Sequence, residues 1–183
     1  MRWTVVATFL MLAGSPAMAA PPMTSICFAP DGRHVVAASE ESLAVYDWPS
    51  LEKRRELPLR MSHVSAITFS PRGEKLLVAG GYPADSGGVA ILDWPLVAKP
   101  DRAATEIGSD VLLCAKWIND ERIAVATTDG SLLIVNHKGE SIHALKGHSR
   151  HVLCSEVSHD AKLLFSGSDD TSLRVWKCET GGL

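Results

Sequence analysis

A pattern of short apolar runs that recurs about every 40 residues constrains the fold of this chain more than any other feature. Each recurrence can be aligned on one residue that ends a β-type run, and these anchors are Phe28, Phe69, Trp117 and Val157. Successive anchors are 41, 48 and 40 residues apart. Repeats of this length with strand patterning are typical of β-propeller blades. No helical periodicity occurs beyond the first nineteen residues, so the sequence predicts an all-β chain of four consecutive units.

Each unit follows the same plan of three predicted strands and a more polar connecting segment. Turn residues such as Pro30-Asp31-Gly32 follow the anchor and favour a hairpin. The predicted second strands are residues 35–38, 76–79, 123–126 and 163–165. The predicted third strands are residues 43–46, 89–92, 132–135 and 173–176. The segments that could form outer, fourth strands are 51–59, 98–107 and 140–145, and the last unit has no such segment. We therefore assign blades to residues of approximately 23–60, 61–108, 109–148 and 149–183.

The stretch from Gly147 to Glu179 is the most complete version of this plan. It opens with Gly147-His148, continues through three β-type runs and reaches Trp176-Lys177 at the end of the third. This unit resembles one repeat of the WD-repeat β-propeller family, in which a Gly-His pair opens the repeat and Trp-Asp closes it. The resemblance implies a partial, open WD-repeat β-propeller of about four blades.

The resemblance also implies a hydrogen-bonded network inside the last unit. The residues at the matching positions are His148, Ser166 (or Ser168), Asp170 and Trp176. A buried carboxylate needs partners, an imidazole N–H can supply one, and an indole N–H needs an acceptor. The same residue types form Ser-His-Asp catalytic triads. The resemblance assigns them a structural role instead, and no G-x-S-x-G nucleophile elbow occurs.

The other three units keep fewer of these residues. The third unit retains Asp129 but has Ser109 where the histidine is expected. The tryptophan position is occupied by Tyr46, Leu92 and Val135 in the first, second and third units. The sequence therefore predicts the complete network in the fourth unit alone.

A candidate partner-binding surface follows from the loops that connect the predicted strands. Residues 80–88 are rich in glycine and longer than their counterparts, so we predict a projecting loop with Tyr82 at its tip and Asp85 beside it. In the WD-repeat family such loops share a face with the Gly-His loops. The resemblance therefore implies a surface that also includes His63, Arg150 and His151. A surface insertion without a binding role is the alternative for the loop.

The first nineteen residues have the three parts of a secretory signal peptide. Arg2 supplies a positive charge, residues 5–13 form an apolar run, and Ala17-Met18-Ala19 is a small-x-small cleavage pattern. The apolar run is too short to span a bilayer as a helix, which takes about 20 residues. We therefore predict cleavage before Ala20 and an extracytoplasmic protein, periplasmic or secreted, without stable membrane insertion after cleavage.

The four cysteines, Cys27, Cys114, Cys154 and Cys178, could pair in an oxidising compartment. No CxxC motif is present, which argues against a zinc knuckle or an attached haem. Cys114 and Cys154 occupy equivalent points of adjacent units, which lie too far apart for easy bridging. We favour unpaired cysteines that act as small hydrophobic residues, and pairing stays open.

Charge and motif content restrict the function. The net charge of −3 and the absence of Lys/Arg runs argue against nucleic acid and anionic membranes as partners. Two histidines on different units without a third ligand do not predict a metal site. The resemblance implies a non-catalytic scaffold that binds protein and needs no cofactor. The alternatives are a propeller enzyme, quinoprotein-like or a hydrolase, and a fragment of a larger propeller without independent function.

Four units with no outer strand in the last one predict an open arc. Such an arc leaves two apolar blade faces and a strand edge unpaired, and both features drive association. We therefore expect the chain to self-associate, to borrow blades from a partner or to aggregate.

Overall fold

The computed structural model describes residues 21–96 and 104–183. The predicted signal segment, residues 1–19, lies outside these residues, and so does the first part of the segment 98–107. Every regular element in the described residues is a β-strand, which confirms the all-β prediction. The same residues contain no helix long and apolar enough to cross a membrane.

The described strands number fifteen and form four separate antiparallel sheets, one for each repeat. The first sheet contains β1 (Met23–Phe28), β2 (His34–Ser39), β3 (Ser42–Asp47) and β4 (Lys53–Pro58). The second contains β5 (His63–Phe69), β6 (Lys75–Tyr82), β7 (Ser86–Asp93) and β8 (Thr105–Gly108). The third contains β9 (Cys114–Trp117), β10 (Arg122–Ala126), β11 (Leu132–Asn136) and β12 (Ser141–Leu145). The fourth contains β13 (Val152–Val157), β14 (Leu163–Ser168) and β15 (Leu173–Lys177).

Strands follow one another in chain order within each sheet, so each repeat is one meander blade. The anchor residues end the first strands, and short polar turns connect them to the second strands. In the first of these turns the Asp31 carboxylate accepts hydrogen bonds from the backbone N–H groups of Arg33 and His34, at 2.8 and 3.1 Å. Gly32 has a φ of +64°, a conformation that glycine adopts without strain. The Pro-Asp-Gly sequence therefore forms the predicted hairpin.

The prediction of a projecting loop over residues 80–88 is wrong, because most of the segment is strand. β6 and β7 pair along their whole lengths, and only residues 83–85 form the turn. The glycines are needed for close backbone approach. A Cβ on Gly80 would lie 1.8 Å from the His63 carbonyl oxygen, and one on Gly87 would lie 2.0 Å from that of Asp110. Glycine therefore lets this long hairpin pass close to its neighbours.

Apolar clusters between consecutive blades form the core. Val36, Leu43 and Val45 of the first blade pack with Leu76 and Leu92 of the second. Two further clusters join the second blade to the third and the third to the fourth. The first strands of neighbouring blades also contact one another, β1 with β5, β5 with β9 and β9 with β13. Burial between blades, rather than within one blade, therefore stabilises the arc.

The four sheets form an open, partial propeller. The fourth sheet has three strands, and apolar side chains are exposed on both outermost blades. Ile26, Phe28 and Trp48 are exposed on the first blade, and Leu163 and Leu173 are exposed on the fourth.

Candidate interaction surface

Four side chains of the fourth blade form one continuous hydrogen-bonded chain. The Trp176 indole Nε1 lies 2.8 Å from the Ser166 Oγ, and that oxygen lies 2.8 Å from the His148 Nε2. The His148 Nδ1 lies 2.9 Å from the Asp170 Oδ2. Ser166 takes the second-strand position, whereas Ser168 instead donates to the Arg150 carbonyl oxygen. The chain connects the loop before β13 to β14, to the β14–β15 turn and to β15.

Donor and acceptor chemistry fixes the direction of the two outer bonds in this chain. Indole N–H can only donate, so Trp176 donates to Ser166. An ionised carboxylate can only accept, so the His148 Nδ1–H donates to Asp170. In the neutral form of this imidazole, the His148 Nε2 carries the lone pair and accepts the Ser166 hydroxyl proton. A neutral imidazole thus satisfies all four groups, as buried polar groups require.

The carboxylate of Asp170 accepts more hydrogen bonds than this chain alone provides. Its Oδ1 accepts from the Ser172 hydroxyl at 2.5 Å and from the Ser172 N–H at 2.9 Å. Its Oδ2 also accepts from the Ser149 N–H at 3.0 Å. The Ser172 hydroxyl, followed by the Ser149 amide and the His148 imidazole, holds the pKa of Asp170 well below its usual range. The ionised carboxylate therefore fixes both the turn and the loop that flank it.

The hydrogen bonds from Ser166 to His148 and from His148 to Asp170 are those of a Ser-His-Asp catalytic triad. The serine hydroxyl, however, is not accessible to a substrate. The Ser166 residue is 1% exposed, and the Trp176 indole already donates to its hydroxyl oxygen. A nucleophile must reach a substrate carbonyl, and no such approach is open to this hydroxyl. The arrangement serves to hold the loop against the blade.

Apart from Tyr46, apolar residues occupy the equivalent positions of the other blades. Leu164 pairs with Trp176 in the fourth sheet. The equivalent pairs in the first, second and third sheets are Val35 with Tyr46, Leu76 with Leu92, and Ile123 with Val135. The positions equivalent to Ser166 are Ala37, Val78 and Val125. The face that is polar in the fourth blade is therefore hydrophobic in the first three.

Topology places one set of turns and loops at the same end of every blade. The hairpins between second and third strands lie there, together with the loops that lead from one blade to the next. We call this end the hairpin-end surface. It is formed by residues 39–42, 59–62, 82–86, 109–113, 127–131, 146–151 and 168–172. The sequence-predicted residues Tyr82, Asp85, His63, Arg150 and His151 all lie on it or at its margin, and all five are exposed.

The β6–β7 hairpin is attached to the third blade by Asp110. The Asp110 Oδ1 accepts hydrogen bonds from the N–H groups of Ala84 and Val111, both at 2.8 Å. Its Oδ2 accepts from the Thr128 hydroxyl at 3.0 Å. The Ala84 amide, then the Val111 amide and the Thr128 hydroxyl, lower the pKa of Asp110. Tyr82 and Asp85 therefore lie on a hairpin whose tip is held by a charged acceptor.

The two exposed histidines of the prediction lie on either side of this hairpin. His63 pairs with Gly81 across β5 and β6, and its Nδ1 lies 3.1 Å from the Ser62 carbonyl oxygen. His151 lies with its Nδ1 3.8 Å from the Asp169 carboxylate. The side chain of His148, in contrast to these two, is buried in its network. The backbone of His148 thus belongs to the hairpin-end surface, whereas its side chain lies beneath that surface.

Metal and thiol chemistry contribute little to this surface. Within residues 21–96 and 104–183, no group of three or more His, Cys, Asp and Glu side chains is placed to hold a metal ion. The four cysteines are free thiols, of which Cys154 is exposed and the others are buried or half-buried. Burial raises the pKa of Cys27 to about 11 and also raises that of Cys114. Neither thiol is activated as a nucleophile.

Sequence reasoning missed the residues that hold the hairpin, Asp110 and Thr128, and also Ser172. Asp110 and Thr128 come from different loops, and only the fold shows that Asp110 contacts both Ala84 and Thr128. A signal was present for Ser172, because Asp129-Gly-Ser131 and Asp170-Thr-Ser172 share the same spacing. In both turns the aspartate accepts the N–H of the residue two positions later.

Comparison with known proteins matches two of the four blades to one family model. The family described as WD domain, G-beta repeat matches residues 18–47 and 139–177. The first range covers β1 to β3, and the second includes His148 and the whole fourth sheet.

Three longer proteins are similar to most of this chain. WD repeat-containing protein 1 of Gallus gallus is 27% identical over 164 residues, which cover 84% of this chain and 26% of that protein. Serine-threonine kinase receptor-associated protein of Homo sapiens is 27% identical over 152 residues, covering 82% of this chain and 41% of that protein. Guanine nucleotide-binding protein subunit beta of Dictyostelium discoideum is 27% identical over 145 residues, covering 77% and 41%. The chain thus spans between 26% and 41% of the length of these relatives.

Proposed function

We propose that this chain, a partial and open WD-repeat β-propeller, is a non-catalytic scaffold that binds another protein through its hairpin-end surface. The observation that carries the proposal is the attached β6–β7 hairpin. It exposes Tyr82 and Asp85 while Asp110, itself bonded by Thr128, holds its tip. Binding costs less when the contacting loop is already ordered, because less conformational entropy is lost.

The composition of the surface suits a protein ligand. Tyr82 offers an amphipathic ring of the kind that is enriched at protein interfaces. Asp85 and Arg150 supply charges of opposite sign on the same surface, which favour a specific orientation of the partner. The names of two relatives, a receptor-associated protein and a G-protein subunit, also describe proteins that assemble with other proteins.

Site-specific photo-crosslinking tests this proposal. A photoreactive residue replaces Tyr82 in one chain and Lys138 in a matched control, since Lys138 is exposed in the β11–β12 turn at the opposite end. Both chains are expressed in the native source. We expect a discrete protein adduct from position 82 and none from position 138. Equal adducts from both positions, or an adduct from position 138 alone, would contradict the proposal.

We also propose that the protein works outside the cytoplasm. Support comes from the sequence alone, namely Arg2, the apolar run 5–13 and Ala17-Met18-Ala19. Mass spectrometry of protein from its native source should detect a chain that begins at Ala20. Intact residues 1–19 on protein from the cytoplasmic fraction would refute this location without affecting the proposed binding surface.

The absence of catalysis can be tested separately. Assays for hydrolase and oxidoreductase turnover on purified protein should stay at background. Turnover that is abolished by the Asp170→Asn or His151→Ala substitution would overturn the non-catalytic part of the proposal and would favour a propeller enzyme.

A further inference from the structure

A polar cavity of about 240 Å³ opens on the hairpin-end surface at the third blade. Its lining includes Ser109, Asp110, Thr128, Asp129 and Lys146, all of which belong to the loops of that surface. Sites for drug-sized small molecules usually measure about 300–1,000 Å³. The cavity is smaller than this, so it suits a single side chain rather than a cofactor.

The cavity lies at the position that a histidine fills in the fourth blade. There the His148 side chain is 1% exposed, and its Nδ1 lies 2.9 Å from the Asp170 Oδ2. The matching residues of the third blade are Ser109 and Asp129, and both line the cavity. A serine has no ring to place beside the aspartate. The third blade therefore has an open space where the fourth has an imidazole.

One oxygen of the Asp129 carboxylate lacks the partners that its counterpart has. Its Oδ1 accepts the Thr127 hydroxyl at 2.5 Å and the Ser131 N–H at 2.9 Å, as the Oδ1 of Asp170 accepts both groups of Ser172. The Oδ2 of Asp170 accepts from the preceding loop. In the described part of the chain, no hydrogen bond from the preceding loop reaches the Oδ2 of Asp129. This residue is also exposed, so its second oxygen is available to a donor from another molecule.

The charge around the cavity favours a cationic donor. The Thr127 hydroxyl, followed by the Ser131 amide and hydroxyl, lowers the pKa of Asp129, so its carboxylate is ionised at neutral pH. Lys146 acts on it through its charge. The hairpin-end surface contains seven Asp and Glu residues against three Lys and Arg residues, a net charge of −4, whereas the whole chain carries −3. This end of the molecule therefore attracts a basic segment of a partner.

We propose that the cavity receives a basic side chain of the protein partner, which donates to the Asp129 Oδ2 as His148 donates to Asp170 in the fourth blade. Arginine fits best, because its planar guanidinium has five N–H donors and is more weakly hydrated than an ammonium group. The remaining donors can reach the hydroxyl groups of the lining. This inference rests on the function proposed for the hairpin-end surface and adds the chemistry of the partner.

An NMR titration of the full chain tests the cavity with two blocked pentapeptides, Gly-Gly-Arg-Gly-Gly and Gly-Gly-citrulline-Gly-Gly. Citrulline resembles arginine in shape but carries no charge. The arginine peptide should shift the backbone amides of Thr128, Gly130 and Ser131, whereas the citrulline peptide should not. The amide of Gly139, in the β11–β12 turn at the opposite end, should not shift with either peptide.

Three variants separate the cavity from the general charge of the surface. Asp129→Asn keeps one acceptor oxygen for the turn and replaces the other with an NH2 group, so the shifts should be lost. Ser109→His should also abolish them, because its imidazole fills the cavity as His148 does in the fourth blade. The control is Glu41→Gln, which removes one charge from the same surface at a residue that does not line the cavity and should retain the shifts.

Three results would overturn the proposal. They are no shift with the arginine peptide, equal shifts with the citrulline peptide, and shifts that persist in Asp129→Asn. None of them changes the crosslinking expected from position 82. Failure of the cavity is therefore distinguishable from failure of the proposed binding surface.

Discussion

The third and fourth blades each have an aspartate in the turn between their second and third strands. Only in the fourth blade is this aspartate hydrogen-bonded to residues outside the turn. Asp129 accepts hydrogen bonds from the Thr127 hydroxyl and the Ser131 amide, all within its own turn. Asp170 makes the equivalent bonds to Ser172 and also accepts from His148 and Ser149 in the preceding loop. The third blade has Ser109 at the histidine position, so the second half of the network is missing.

This difference separates two roles of an aspartate at this position, which are to fix its own turn and to fix the preceding loop to the blade. Fixing a turn requires only local bonds, whereas fixing a loop to the blade requires a side chain of that loop that reaches the turn. In the third blade Asp110 fixes the loop, because it accepts a hydrogen bond from Thr128 of the turn, and it also accepts one from Ala84 of the β6–β7 hairpin. The core of the third blade is correspondingly apolar, with Val125 and Val135 where the fourth has Ser166 and Trp176. Each blade therefore orders part of the hairpin-end surface by a different device.

The largest expected effect comes from the apolar blade. Ile123→Ala removes a fully buried side chain between the second and third blades and should lower the free energy of unfolding by about 2–5 kcal/mol. Chemical denaturation measures this. Ile142→Ala on the exposed outer strand is the control and should change stability by less than about 0.5 kcal/mol. Similar losses at both sites would show that the third blade is not held by its buried apolar face.

The polar network should give a smaller effect with strong coupling. His148→Ala leaves buried partners unsatisfied and should cost about 1–3 kcal/mol of unfolding free energy. Combined with Ser166→Ala, it should show a coupling energy of about 0.5–3 kcal/mol in a double-mutant cycle. Ser109→Ala, at the histidine position of the third blade, should cost less than about 0.5 kcal/mol. Additive effects of His148→Ala and Ser166→Ala would show that the four groups do not act as one network.

The pH dependence of the free energy of unfolding should show the same difference between Asp170 and Asp129, with a still smaller effect. Because the fold lowers the pKa of Asp170, its contribution to stability is fully present above the unfolded-state pKa, about 4. The contribution is lost as the pH falls below that value towards the folded-state pKa. Asp170→Asn should therefore flatten the pH dependence of unfolding below about pH 4. Asp129→Asn should flatten it less, since the pKa of Asp129 is lowered mainly by the Thr127 hydroxyl of its own turn. An identical pH profile for the native chain and Asp170→Asn would contradict this account.

The sequence was informative where the structure depends on local or repeated signals. Anchor spacing and turn residues gave the four sheets, because strand alternation and Pro-Asp-Gly turns act over a few residues. The segment 80–88 was mistaken for a loop, because glycine marks both loops and strands that pass close to another backbone. The hydrogen bonds of Asp110 could not be predicted from the sequence, because they join residues of three loops that only the packing of two blades brings together.

Hydrogen exchange of the hairpin-end amides tests most directly whether this surface is held in place by two separate polar attachments. Mass spectrometry follows exchange in peptides that cover residues 82–86 and 147–151, in the native chain and in the Asp110→Ala and His148→Ala variants. In the native chain both segments should be protected, because the Ala84 and Ser149 amides donate to Asp110 and Asp170. Asp110→Ala should release only residues 82–86, and His148→Ala only residues 147–151. Unprotected exchange of both segments in the native chain, or simultaneous release of both by either variant, would contradict the account.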